Sequence, residues 1–142
     1  MAMIKKILAP TDFSDLSASG VRYACQLAKE IGAELVVINI VALDESNVAD
    51  KRELEQHKRQ LDEFFTDKVA GVGSGLSIRK VVEPGQPYST IVYWAENERV
   101  DLIVTSSHGR SGLSRVLMGS VTEEIIRKSP CPVLVVPMAR EN

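Results

Sequence analysis

DLIVTSSHGRSGLSRVLMGSVTEEIIRKSPCPVLVV, residues 101–136, decides the fold. It opens on one almost purely aliphatic run, Leu102 to Thr105, and closes on another, Val133 to Val136. Runs apolar on both faces need cover on both faces, which is the habit of parallel strands packed between helices. Between the two runs lie Gly109, Gly112 and Gly119, then Ser120 to Lys128 at helical period, stopped by Pro130 and Pro132. Strand, glycine loop, helix and strand in that order make a parallel crossover unit.

The rest of the chain repeats this grammar. Ile4 to Ala9 is an apolar run closed by Pro10, and Glu34 to Val41 is a second, rich in Val and Ile. Ser77 to Val82 is weaker and more polar, so it belongs near a sheet edge. Val21, Ala24, Cys25, Ala28 and Ile31 step by three and four and mark a buried helix face, with Gly32 as its stop. Leu54, Leu61, Phe64, Phe65 and Val69 mark a second helix, and Pro87 opens a third with Ile91, Trp94 and Ala95 inward. Five strands alternating with four helices predict an α/β fold of Rossmann-like kind. The expected arrangement is an open five-stranded parallel sheet, order 3-2-1-4-5, with helices on both faces.

A length of 142 residues fits one domain, residues 1–142, with no internal repeat and only Gly71-Val72-Gly73-Ser74-Gly75 as a flexible-looking joint. Hydrophobic residues at 44% and charged ones at 25% are ordinary for a globular domain and argue against disorder. A net charge of −2 argues against nucleic acid or an anionic membrane surface as partner. Two cysteines make no disulfide framework, and no apolar run approaches the ~20 residues of a membrane span, so a cytoplasmic location is expected.

In an open α/β sheet the ligand crevice lies beyond the carboxyl ends of the strands, where the winding direction reverses. For this order that point is between strands one and four. It nominates Pro10-Thr11-Asp12 on one side and Ser106-Ser107-His108-Gly109 on the other. The loop glycines let backbone amides approach an anion, the Gly119-Ser120 helix start offers unpaired N–H groups, and Arg110 and Arg115 add positive charge. A phosphate suits this place. The competing explanation is ordinary turn glycines with Ser120 as a plain cap, and Ser120-Val121-Thr122-Glu123 does match a capping box. Neither a Walker phosphate loop nor a nucleophile-elbow serine occurs. The Gly71–Gly75 stretch precedes a strand and has Leu76 where a dinucleotide fingerprint needs glycine.

Four segments together resemble the universal stress protein family over nearly the full chain: Ile7 to Ser14, Asp101 to Val104, Gly109 to Val121, and Pro130 to Val136. The family's ATP-binding branch carries G-x-x-G, nine further residues, then G-[ST]. Gly109 and Gly119-Ser120 keep that spacing, but Ser106 stands at the first glycine. A serine there excludes a positive φ and narrows the approach, while its hydroxyl is a candidate ribose or phosphate ligand.

The resemblance implies ATP as the ligand of a homodimeric, nucleotide-dependent switch in the stress response, with at most slow hydrolysis. In that scheme Asp12 contacts adenosine, Pro10 and Thr11 line the same wall, and Ile40 and Thr105 border adenine. Gly109, Arg110, Gly112, Gly119, Ser120 and Val121 hold ribose and phosphates, with Ser106, Ser107 and His108 in the same loop. With Ser120 capping the helix, Glu123 must tolerate the anion, which predicts a rearrangement or a bridging Mg2+. The resemblance also pairs Val133–Val136 with its symmetry mate, as four aliphatic residues on an open edge would invite. The alternative is a nucleotide-free dimeric interaction protein of the same family, which Ser106 favours.

Other residues weigh less. His108 is a candidate acid or base set against the commoner role of a hydrogen-bonding loop histidine, and His57 reads as surface. Cys25 and Trp94 read as core, and Cys131 lacks the basic neighbour that would make it reactive. Two histidines without a Cys/His cluster argue against a transition-metal site.

Overall fold

The computed structural model describes residues 3–69, 71–108 and 118–137. The elements are β1 (Lys6–Pro10), α1 (Asp15–Ile31), β2 (Glu34–Ala42), α2 (Lys51–Phe64), β3 (Ile78–Gly85), α3 (Pro87–Asn97), β4 (Leu102–Ser106), α4 (Ser120–Lys128) and β5 (Val133–Val136). A π turn, Phe65–Val69, continues α2. The five strands form one parallel sheet in the order β3-β2-β1-β4-β5, as the pattern of apolar runs predicts. β3 is one edge, in keeping with its polar composition, and β5 is the other.

Alternation along the strands divides the interior into two layers. Ile7, Ala9, Leu35, Val37, Leu102 and Val104 pack with α1, α2 and the π turn through Val21, Ala24, Cys25, Leu61, Phe64 and Val69. Leu8, Val36, Ile38 and Ile103 pack with α3 and α4 through Ile91, Ala95 and Ile125. Trp94 is half-buried on the second layer, with the Arg79 guanidinium 5.5 Å over its ring.

The helix ends follow local chemistry. Ser14 caps α1 by accepting from the Ser17 N–H, and Gly32 ends it in a left-handed conformation at φ 71°. Asp50 caps α2, and Pro87 occupies the first turn of α3, where its missing N–H costs nothing. At α4 the expectation is corrected. The cap residue is Gly119, with no side-chain bond, and Ser120 is already inside the helix. The Ser120–Glu123 capping box therefore does not form: Glu123 instead donates its backbone N–H to the Gly119 carbonyl at 3.1 Å. No described helix is long and apolar enough to cross a membrane.

Candidate functional site

A cavity of about 300 Å3 opens at the carboxyl ends of β1, β2 and β4, where the winding of the sheet reverses. That volume sits at the lower end of the ~300–1,000 Å3 of small-molecule sites. Ile38, Ile40, Pro87, Ile91 and Val121 form an apolar side, and Thr11, Asp12, Ser17, Asn39, Thr105, Ser106 and His108 a polar one. Gly119, Ser120 and Thr122 close the end.

The wall after β1 is pinned atom by atom. The Thr11 N–H donates to the Ile38 carbonyl at 2.9 Å, and the Asn39 amide donates to the Thr11 carbonyl at 2.9 Å. Ser17 Oγ donates to the Ser14 carbonyl, so the 2.8 Å contact between Thr11 Oγ1 and Ser17 Oγ has the threonine as donor. Thr11 Oγ1 in turn accepts from the Phe13 N–H at 3.0 Å. The Asp12 carboxylate accepts from the Ser14 N–H at 3.1 Å and from the Ser14 hydroxyl, which orients it at the mouth of α1.

At the opposite wall Ser106 differs from expectation in what its hydroxyl does. Oγ donates to the Leu16 carbonyl at 2.8 Å and accepts from the Gly20 N–H at 3.0 Å, both on α1. It is thus engaged away from any ribose or phosphate. Its φ is not positive either, since Phe13, Asn47 and Arg99 are the described non-glycine residues with positive φ. The serine fits because residue 20 is glycine: a Cβ there would meet Ser106 Oγ at 2.6 Å. The Ser106 carbonyl accepts from Thr122 Oγ1 at 2.9 Å, which ties α4 to β4.

The start of α4 presents backbone donors. By helix geometry the N–H groups of Ser120, Val121 and Thr122 have no acceptor within α4, and a glycine cap supplies no side chain to cover them. Nearby, His108 is 98% buried, and its Nδ1 lies 2.9 Å from Ser107 Oγ. His108 Nε2 has no hydrogen-bond partner among the described residues. A buried polar atom left unpaired is costly, and a bound acceptor or donor would repay it. A glycine-capped helix start beside an orphaned imidazole nitrogen and an apolar slot suits a ligand with an anionic tail and a flat apolar head.

The sheet thus brings Pro10, Thr11, Asp12, Ile40, Thr105, Ser106, His108, Gly119, Ser120 and Val121 to one cavity. Ser107 is not in its wall; it bridges β5 and α4, donating its N–H to the Val136 carbonyl and accepting from the Gly119 N–H, each at 2.9 Å. Gly109, Arg110 and Gly112, with Arg115, lie outside the described residues. Ser17, Ile38, Asn39, Pro87, Ile91 and Thr122 also line the cavity and were not singled out by sequence. Asn39 carried a legible signal: a lone amide inside an aliphatic buried strand must have a partner. His57, expected at the surface, is half-buried, with Nδ1 2.9 Å from Asn39 Oδ1. Among the described residues no group of three or more His, Cys, Asp and Glu side chains could hold a metal ion.

Known proteins place this geometry. The sequence model of the universal stress protein family matches residues 3–137. Universal stress protein MJ0531 of Methanocaldococcus jannaschii is 36% identical, over 99% of this chain and 86% of its own length. Universal stress protein MJ0577 of the same organism is 31% identical, over 94% of this chain and 95% of its own. The solved structure of MJ0577 superposes with a TM-score of 0.70, covering 99% of each chain. A universal stress protein crystallised with cAMP shares the fold at a TM-score of 0.78 and 24% identity, covering 97% of this chain and all of its own. On the family match and these two relatives, the chain belongs to the universal stress protein family.

Proposed function

We propose that the protein is an adenine-nucleotide-binding module, with ATP as ligand, working as a homodimeric switch in the cytoplasm. The observation that carries this is the glycine-capped start of α4 facing Asp12 across one cavity with an apolar side. The base would lie against Ile40 and Thr105, Asp12 would accept from a ribose hydroxyl or an amino group, and the Ser120, Val121 and Thr122 amides would take the phosphates. Gly109, Arg110 and Gly112 would complete the phosphate seat. Mg2+ arriving with the nucleotide would keep phosphate and water ligands, which asks for no carboxylate cluster from the chain. The adenine nucleotide cAMP bound by a neighbour of the same fold is in keeping with this chemistry. Ser106 is the feature favouring the alternative, a nucleotide-free interaction protein of the same family; its hydroxyl is turned to the α1 backbone, which takes that side chain out of the approach to the phosphates.

Calorimetric titration with ATP, with and without Mg2+, tests the proposal. Gly119 has φ −65° and ψ 152°, which valine tolerates, so Gly119→Val should keep the fold while its side chain crowds the phosphate seat. ATP binding should be lost in that variant; unchanged affinity would remove the α4 start from the site. Multiple-turnover phosphate release should stay below ~1 s−1, the low end of ordinary enzyme rates.

A further inference from the structure

We propose that α2 and its π turn form a clamp that sets the position of Asp12, with His57 and Lys68 as positioning residues for the nucleoside half of the cavity. The inference rests on the nucleotide-binding proposal and adds two residues that touch no ligand.

The segment being held is strained. Phe13, next to Asp12, is a bulky residue at φ 70°, in the left-handed region where side chains crowd the backbone. Such a conformation persists only where surrounding structure over-determines it. Two ties from the α2 arm do this. Lys68, in the π turn, donates Nζ to the Phe13 carbonyl at 3.0 Å and pairs with the Asp15 carboxylate at 2.8 Å. Arg22 fixes the turn itself by donating to the Lys68 carbonyl at 2.9 Å. The Phe13 ring packs 5.8 Å from the His57 ring and 6.1 Å from Phe64.

The second tie runs through Asn39, and its polarity follows from elimination. The Thr11 carbonyl can only accept, so Asn39 must offer Nδ2 to it. That leaves Oδ1, an acceptor, facing His57 Nδ1 at 2.9 Å, so His57 carries its proton on Nδ1. A donor on α2 thus orients an amide in β2 that holds the backbone of Thr11. Asp12 lies between the two held residues, Thr11 and Phe13. Slackening either tie lets the carboxylate drift, and a misplacement near 1 Å is enough to cost a directed contact.

The test uses the full-length protein with His57→Leu, Lys68→Met and the conservative His57→Asn, whose amide nitrogen can replace Nδ1. In the ligand-free state, hydrogen exchange at the Phe13 N–H should quicken in His57→Leu and Lys68→Met and recover in His57→Asn. Adenosine affinity should fall about tenfold in the first two variants, the weight of one coupled hydrogen bond, while affinity for inorganic triphosphate holds. In an Asp12→Ala background the same substitutions should cost nothing more. Unchanged Phe13 exchange, or parallel loss of adenosine and triphosphate, would overturn the clamp. So would adenosine affinity that holds while exchange quickens. A wild-type chain that binds neither adenosine nor triphosphate would defeat the nucleotide proposal instead, and the exchange measurement would still decide whether the arm holds the loop.

Discussion

Ser106 and His108 sit two positions apart and carry opposite expectations under substitution. Ser106 Oγ makes two hydrogen bonds to the α1 backbone, one buried and one partly buried, and Gly20 has no Cβ to obstruct them. Restoring the family's glycine by Ser106→Gly should therefore cost about 1–3 kcal/mol of stability while leaving ATP affinity within a few-fold. Denaturant unfolding beside an ATP titration checks both halves; tighter binding without destabilisation would return the hydroxyl to the cleft. His108 Nε2 is buried without a partner among the described residues, so His108→Leu removes an unpaid desolvation cost. Its melting temperature should hold or rise, and ATP affinity should drop. A variant that loses stability and keeps its affinity would make the histidine a structural residue.

At the level of elements, α4, β4 and β5 were legible because each cue is local: an aliphatic run, a helical period, a proline stop. Gly32 as the end of α1 was legible for the same reason, since a left-handed cap is a property of one residue. The start of α4 misled because either Gly119 or Ser120 can stand at the cap, only Ser120 has the side chain to close the box, and backbone geometry chose the glycine. The Asn39–His57 pair was hidden because it joins β2 to α2 across a sequence gap that no period spans. Cys25 was read correctly as packing in α1, and its burial has a measurable consequence. Burial pushes its thiol up to about 11, against a weaker opposing effect of Lys29. Between the ordinary value of 9.0 and about 11 the folded chain keeps a proton that the unfolded chain releases. Stability should then decline as pH rises through that window, by on the order of 2 kcal/mol. Unfolding at pH 8 and pH 11 should show a smaller decline for Cys25→Ala than for the parent, and equal declines would mean the thiol ionises as freely folded as unfolded.

For the whole molecule, assembly turns on which atoms of β5 face outward. The Pro132 carbonyl accepts from the Ile103 N–H at 3.1 Å, and the Val136 carbonyl accepts from the Ser107 N–H at 2.9 Å. In a parallel ladder alternate residues address the same neighbour, so Pro132, Leu134 and Val136 serve β4. Among the described residues no strand pairs with the backbone groups of Val133 and Val135, on a strand whose four residues are all half-buried. An aliphatic edge with open donors and acceptors is a template for a second chain, and two copies of it would pair about a two-fold axis. Val135→Pro removes one outward N–H and spares the inward ladder, a substitution that an edge strand tolerates. We expect the parent protein to sediment as a dimer and Val135→Pro as a monomer with an unchanged circular dichroism spectrum. A parent that sediments as a monomer, or a proline variant that stays dimeric, would place the contact elsewhere than β5. Retained ATP binding in the monomeric variant would further show that the cavity, built from β1, β2, β4, α1, α3 and α4 of one chain, needs no residue from a partner.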